Sequence, residues 1–524
     1  MTSEVSLSST HTRPPAAGGT VPGARRAPSA GEAPRVVRPR RLPDVLVGLA
    51  AVAAALVVFS WRLSTPSPWR DEAVTIAVAN RSAEDVWRLV QHVDLVHAPF
   101  YFLVHALFGG SADVGDARWI SVVAAALTAP LLFGLGRRLA APAVGPGTAR
   151  LTGATAAALF VAMPFVSRYA QEARPYAIAT LLATASTYLL VRAGTGHRRV
   201  PWAAYALTLP LLVAFNTVAA LVLVAHAGWL LTAPARVLRR GAAAAAAGLA
   251  AALPLVLAQS RQSEQVAFLQ RPALAELGSH VLFALGSSVV ALVVAALAVA
   301  LALWRARARR LLLVGLLWGV LPWPLLWALS QLKPFWTTRY LVFVAPGTCL
   351  LLAAVVTLAL TRRHRAAVAG ATAALLVAGL AVTGLHMQFV FRDPQIGHAE
   401  DLRGTARYVA EHARPGDGLL FVPDGEYRYR VLTQLYPQAF AALDDIALAE
   451  PAAASATLVG QTLPADRLAQ AVQGVRRIWV VGGTGRVVTA TAADRETVRL
   501  LDAGYQLVST EERRAFSVRL YVAR

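Results

Sequence analysis

The sequence predicts an α-helical polytopic membrane protein of about 11 spans, followed by a small α/β domain on the extracytoplasmic side. Three observations carry this prediction. Hydrophobic residues make up 56% of the 524 residues and charged residues only 15%, against about 25% charge in a soluble domain. Apolar runs of ~17–25 residues, enough to cross a bilayer, recur from Pro43 to about residue 390. The basic residues, which leave a formal net charge of +21, stand in short clusters between those runs. That arrangement sets membrane topology, whereas a nucleic-acid surface gathers its charge on one face. The lone Cys349 excludes a disulfide framework and a Cys-based zinc site. Lys333 is the only lysine among 50 cationic residues. Codon usage in a GC-rich genome and a site that wants an ammonium both account for it.

Taken in order, residues 1–42 are Ser, Pro, Gly, Ala and Arg with almost no large apolar side chain. They cannot bury a core, and a disordered cytoplasmic tail is expected. The run Pro43–Leu63 is too long for a signal-peptide core and reads as an uncleaved first span. Further spans are expected at 118–136, 149–167, 174–191, 201–215, 217–233, 241–259, 280–303, 311–329, 341–361 and 366–386. Alternation then puts Arg137–Arg138, Arg192 with Arg198–Arg199, Arg236–Arg240, Arg305–Arg310 and Arg362–Arg365 in the cytoplasm. The acids Asp71, Glu72, Glu84, Asp85, Asp94, Asp113, Asp116, Glu172, Glu264 and Glu276 all fall outside. The apolar stretch His97–Gly110 rises only ~21 Å, against ~30 Å of hydrocarbon. It is expected to be half-inserted or to lie along the outer interface. Trp87 and Leu89 are expected as interfacial anchors.

From about Arg392 charged residues return. A helix is expected over Asp401–Ala413, strands over Gly418–Val422 and Arg477–Val481, a helix over Arg495–Ala503, and an edge or terminal strand over Ser517–Val522. Residues 392–524 are of a size to form a compact domain outside the membrane.

Three outer segments gather chemistry. The first contains Trp69-Arg70-Asp71-Glu72, two adjacent carboxylates just past the membrane exit, and then Asp94 and His97. A carboxylate and an imidazole three apart suit an acid/base or metal pair, and equally a capping Asp beside an interfacial His. The second reads Arg168-Tyr169-Ala170-Gln171-Glu172-Ala173-Arg174-Pro175-Tyr176. Arg168 and Arg174 suit a phosphate, with Glu172 orienting one of them, or a snorkelling salt-bridge loop. The third runs from Lys333-Pro334 to Arg339-Tyr340. Its two cations again suit a phosphate, and its aromatics suit a sugar face or a headgroup anchor. Gly482-Gly483-Thr484-Gly485-Arg486 follows a strand but lacks the Lys-Ser/Thr of a phosphate loop, so it reads as a glycine turn.

Trp69-Arg70-Asp71-Glu72, Asp94-x-x-His97-x-Pro99-Phe100-Tyr101, Gln171-Glu172-Ala173-Arg174-Pro175-Tyr176 and Lys333-Pro334 to Arg339-Tyr340-Leu341, in that order, resemble the glycosyltransferase C superfamily. The resemblance covers about residues 43–390. It is to the protein O-mannosyltransferase-like and aminoarabinose-transferase-like branch, in actinobacterial form. Where that branch carries His-Pro-Pro or Lys-Pro-Pro, this chain has His97-Ala98-Pro99. The resemblance implies a multi-span body and an acidic, catalytic first outer loop, here 64–117. It also implies transfer of a sugar (mannose or another hexose or pentose) from a polyprenyl phosphate to an acceptor at the outer leaflet. The acceptor class is a protein, lipid or polysaccharide.

By place in the motif, Asp71 would be the base that takes the acceptor's proton and Glu72 the group that orients or tunes it. Arg174, Lys333 and Arg339 would stabilise the departing phosphate. Asp94, His97, Glu172, Tyr176 and Tyr340 would complete the substrate site. A direct displacement inverts the anomeric carbon. A divalent cation at Asp71, Asp94 and His97 is left open, because related enzymes differ. The rival classes are a flippase of lipid-linked sugars and a structural envelope protein. A flippase places charges within spans and shows repeated halves; here acids cluster in outer loops and no repeat is visible.

Overall fold

The computed structural model describes residues 42–524 apart from 197–198, 263–268, 287–291, 294–295, 297–299, 301–308, 360–365, 396, 425–426 and 486–488. The expected tail before Leu42, Arg198, Glu264, most of the 280–303 run, most of the Arg305–Arg310 cluster, the Arg362–Arg365 cluster and Arg486 lie outside the described residues.

Apolar runs become helices because hydrocarbon offers a bare backbone no hydrogen-bond partner. In chain order they begin with α1 (Leu42–Ser60), then α2 (Arg70–Ala79), α3 (Ala83–Val90) and α4 (Ala98–Phe108) of the segment 64–117. Next come α5 (Val114–Ala140), α6 (Pro146–Ala162), α7 (Pro164–Ala170), α8 (Tyr176–Thr195), α9 (Val200–Phe215), α10 (Leu223–Leu231) and α11 (Ala235–Arg261). Among the described residues six helices are long and apolar enough to cross a membrane: α1, α5, α8, α11, Arg309–Leu332 and Ala367–Phe391. The bent pair α6 and α7 makes a seventh if counted as one span. Of the remaining expected runs, 201–215, 217–233 and 341–361 coincide with the shorter apolar helices Val200–Phe215, Thr217–Leu231 and Thr338–Ala354, while 280–303 meets only the end of Leu274–Ala284 and lies mostly outside the described residues. The shortfall from 11 full-length spans lies in those pieces. Asn216, for example, ends α9, and its side chain accepts from Val218 N to start a 3₁₀ turn.

Two local features place the site. Met163 is extended, as the residue before a proline must be, and Pro164 opens α7 after a bend of 62°. The bend turns the chain so that residues 171–174 meet α2. Gly153 lets α6 close on α5, since a Cβ there would lie 2.3 Å from Phe133 O. Small residues serve this purpose between membrane helices.

Beyond the helix Leu402–His412, the described residues form seven strands: β1 (Asp417–Val422), β2 (Leu443–Asp445), β3 (Leu448–Glu450), β4 (Gln461–Thr462), β5 (Arg477–Gly482), β6 (Tyr505–Arg513) and β7 (Phe516–Ala523). Five form one sheet in the order β2-β1-β5-β7-β6, with β1 parallel to β2 and β5, and β7 antiparallel to β5 and β6. β1 is buried along its whole length because it is central, which is why it reads as an unbroken apolar run. The last strand is therefore not an edge. β7 is interior, and the edge is β6, whose polar sequence Tyr505–Arg513 hid it.

The sheet does not hang free of the membrane body. One face shares a core with the segment 64–117, where Val86, Leu89, Val90 and Tyr101 pack with Leu402, Phe421, Trp479 and Phe516. Leu89 is fully buried there and so is no interfacial anchor, while its neighbour Trp87 is 57% exposed. α4 buries Phe100, Tyr101 and Val104 and ends at Gly109, whose φ of 61° suits glycine.

Candidate active site

α2 starts at Arg70, so Asp71 and Glu72 both occupy its first turn, where the exposed N–H groups favour carboxylates. Neighbours on a helix point ~100° apart, and here they face different surroundings.

Asp71 faces a cavity of about 310 Å³ in which the apolar Val74, Val93, Val96 and Leu458 stand beside the charged and polar Asp94, His97, Arg174, Arg339, Tyr340 and Tyr427. Its Oδ2 lies 3.4 Å from Arg339 Nη1 and 3.9 Å from Arg174 Nη2. Its Oδ1 accepts from the Tyr427 hydroxyl at 3.0 Å. Arg174 is fixed by donating to Asp71 O at 3.2 Å and to Thr75 Oγ1 at 3.1 Å. Arg339 lies over the Trp69 ring at 5.1 Å, a cation–π contact that holds the guanidinium plane.

Asp94 and His97 form one wall. Arg174 also donates to His97 Nε2, so the ring's proton sits on Nδ1, a buried donor without a partner. Burial, with Arg174 and Arg339 nearby, pushes His97 well below the usual imidazole range. It is a neutral ring beside the cavity. Asp94 takes a hydrogen bond from Tyr101, and burial raises its carboxyl above the usual value despite the charge of Arg174. Its φ of 65° holds it in the left-handed region.

Glu72 faces away into a buried network. Arg118, a lone arginine at the start of α5, donates Nε to Oε1 at 2.8 Å and Nη2 to Oε2 at 2.7 Å. Ala173 N adds a third bond at 2.8 Å. Burial works to raise this carboxyl, but the charge and paired bonds of Arg118 outweigh it and hold it below the usual range. The expected partnership of Glu72 with Asp71 is therefore not a direct one. Glu172 joins the same inner layer, pairing with Arg168 at 3.5 Å and lying 3.5 Å from His398. It orients Arg168 rather than Arg174. Arg168 in turn donates to Gly397 O and lies over Phe391, so it is not a wall of the Asp71 cavity.

Lys333 is exposed and lines a second cavity of about 320 Å³, with Phe335, Tyr176, Phe215, Asn216, Val256 and Gln259. Val96, His97 and Tyr340 belong to both cavities, which makes the two adjacent. Tyr176 and Tyr340 meet ring to ring at 6.3 Å along that border.

Several residues at the site were not signalled by the sequence motifs: Arg118, His398, Glu400, Tyr427 and Leu458. Glu400 bonds Arg70 through both its backbone N–H and its guanidinium, each at 2.8 Å. His398 stacks on Trp69 with centroids 6.2 Å apart. Arg81 donates to the carbonyls of Ala452, Thr457 and Leu458 and so fixes the loop that brings Leu458 to the cavity. For a divalent cation, the cavity offers Asp71, Asp94 and His97 with two guanidiniums between them. Among the described residues no group of three or more His, Cys, Asp or Glu side chains converges as a metal site.

No family model matches the chain, and no curated protein sequence matches it. Among solved structures the chain is similar to ArnT from Cupriavidus metallidurans. The apo crystal structure superposes with a TM-score of 0.55 at 15% identity, over 90% of this chain and 97% of that one. The structure of ArnT bound to undecaprenyl phosphate gives 0.55 at 14% identity, over 92% of this chain and 98% of that one. The chain thus shares the fold of ArnT, a helical body with several helices long and apolar enough to cross a membrane, followed by a small sheet domain, as a multi-pass membrane protein would have.

Proposed function

We propose that the chain is a membrane glycosyltransferase. It moves a sugar, mannose or another hexose or pentose, from a polyprenyl phosphate to a hydroxyl of a protein, lipid or polysaccharide at the outer face of the cytoplasmic membrane. The observation that carries this reading is the Asp71 carboxylate at a cavity where Arg174 and Arg339 face it, adjoining a second cavity that Lys333 lines. The apolar walls of that second cavity suit a prenyl chain, and its lysine suits the phosphate.

In this reading the acceptor oxygen attacks the anomeric carbon while the bond to the phosphate oxygen breaks. Asp71 takes the hydroxyl proton as the new C–O bond forms. The polyprenyl phosphate leaves as an anion, and Arg174, Arg339 and Lys333 stabilise the charge that develops. Tyr176 and Tyr340 offer ring faces to the sugar at the border of the cavities. One displacement inverts the anomeric carbon.

The topology belongs to the same proposal. There are 11 membrane passages, some by short helices, with the N-terminal tail inside and residues 392–524 outside. Cys349 is buried, so it adds little background to thiol labelling. Cysteine at Gly504, where a side chain would meet nothing within 4 Å, should react with an impermeant thiol reagent on intact cells. Cysteine at Gly145, equally unobstructed, should react only after permeabilisation. Protection at Gly504 would overturn the orientation.

Incubating membranes with a panel of radiolabelled polyprenyl-phosphate sugars tests the activity. Label should leave the lipid fraction in wild type and stay there in Asp71→Asn. Turnover that survives Asp71→Asn sinks the mechanism, and no turnover of any donor sinks the reading.

A further inference from the structure

The outer domain and the strap that leads into it touch the base's helix in two places. The α2 helix has no cap of its own, because Trp69 at the N-cap position supplies no side-chain acceptor. The first N–H of the helix, on Arg70, is accepted by Glu400 Oε2 at 2.8 Å, across 330 residues of sequence. Unsatisfied N–H groups at a helix start are costly when buried, and a side chain that accepts one fixes the first turn. Asp71 is the next residue in that turn.

The strap around Glu400 is itself pinned. Ser67 N donates to Pro394 O at 3.0 Å, Arg403 N to Ser67 Oγ at 3.0 Å, and the Arg403 guanidinium to Ser64 O at 3.0 Å and Thr65 O at 3.2 Å. The second contact is at the carboxylate. Tyr427 reaches Asp71 Oδ1 from the outer domain, while Arg339 and Arg174 stand at Oδ2. A carboxylate oxygen has two lone-pair sites, so Oδ1 can hold the Tyr427 hydroxyl and still accept a proton.

We propose that Glu400 and Tyr427 are positioning residues for Asp71, which makes the outer domain part of the catalytic apparatus and not only a platform beside it. Glu400 fixes where the turn bearing Asp71 starts, and Tyr427 fixes which way its carboxylate faces. The proposal rests on Asp71 being the base.

The test uses the full-length protein in detergent with the polyprenyl-phosphate sugar that turns over fastest in the panel. It compares Tyr427→Phe, Glu400→Ala, Glu400→Gln and Asp71→Asn. A hydrogen bond to a charged group is worth enough to change a rate about tenfold or more. Tyr427→Phe and Glu400→Ala should each lower kcat about tenfold and leave the donor KM within about twofold. Glu400→Gln should restore most of the loss, because the amide oxygen still accepts the Arg70 N–H. A merely structural role would lower melting temperature and raise KM together, with no rescue by Gln, and that result overturns the proposal. Wild-type kcat in both Tyr427→Phe and Glu400→Ala, with Asp71→Asn dead, overturns it too and leaves the base intact. Activity in Asp71→Asn instead removes the reading on which it stands.

Discussion

Asp71 and Glu72 are adjacent, carry the same charge and share one helical turn, yet the chain treats them in opposite ways. Glu72 is fully buried, and both of its oxygens are bonded to one arginine and one to a backbone N–H. Asp71 has only long contacts to its arginines, at 3.4 and 3.9 Å, and one hydroxyl bond. A carboxylate whose acceptor sites are filled holds structure together. One that keeps an unfilled site beside a cavity can take a proton. Loose pairing, and not charge as such, separates the proposed base from its neighbour.

The largest expected break in this comparison comes from Asp71→Asn. It keeps the size of the side chain and removes its basicity, so transfer should fall ~10²–10⁴-fold with melting temperature unchanged. Initial rates and a thermal melt on the same preparation check both halves. Glu72→Gln should do the reverse. It leaves the Arg118 guanidinium buried without its counter-charge, which costs about 3–5 kcal/mol, read as a lower melting temperature or loss of folded yield. Folded Glu72→Gln with wild-type stability would show that Arg118 is not paired as described. Lys333→Ala is milder, since Lys333 is exposed. Donor KM should rise by about tenfold or less, with a smaller loss of kcat, and an unchanged KM would remove Lys333 from the donor site.

That contrast was half legible in the sequence. Asp71, Arg174 and Arg339 sit in short local motifs beside span ends, and such motifs keep their order whatever the loops between them do. Arg118 was invisible as a partner, because nothing local ties an arginine at the head of an apolar run to a glutamate 46 positions earlier. Tyr427 and Glu400 lie 356 and 330 positions from the residues they bond, so only the fold brings them there. The long apolar helices, β1 and β5 were readable from apolar runs, whereas the polar helix Tyr427–Leu435 was not. β6 was not, because a solvated edge strand has no buried face to impose alternation.

The smallest effect, which sharpens the comparison, is in pH. Glu72 is held below its ordinary value, so its contribution is present above the usual carboxylate range and is lost as pH falls through the lower, folded value. Glu172 is shifted the other way, by burial above all. Its folded form prefers the proton, so its contribution is full below the usual carboxylate range and is lost as pH rises through the raised value. Melting temperature against pH for wild type and Glu172→Gln should differ only on that rising side, where the variant loses the downward slope. Coincident curves there would place Glu172 in an ordinary ionised pair.

The shared wall of the two cavities has a kinetic consequence. His97, Val96 and Tyr340 border a chamber with apolar flanks and another to which the sheet domain contributes Tyr427 and Leu458. On the proposed reading the donor is therefore drawn from the plane of the bilayer, through the chamber with apolar flanks. Donor saturation would then follow its mole fraction among the lipids and not its bulk molarity. Diluting the membrane with inert lipid at constant total donor would slow the reaction, while diluting the whole suspension would leave the donor's half of the rate law unchanged.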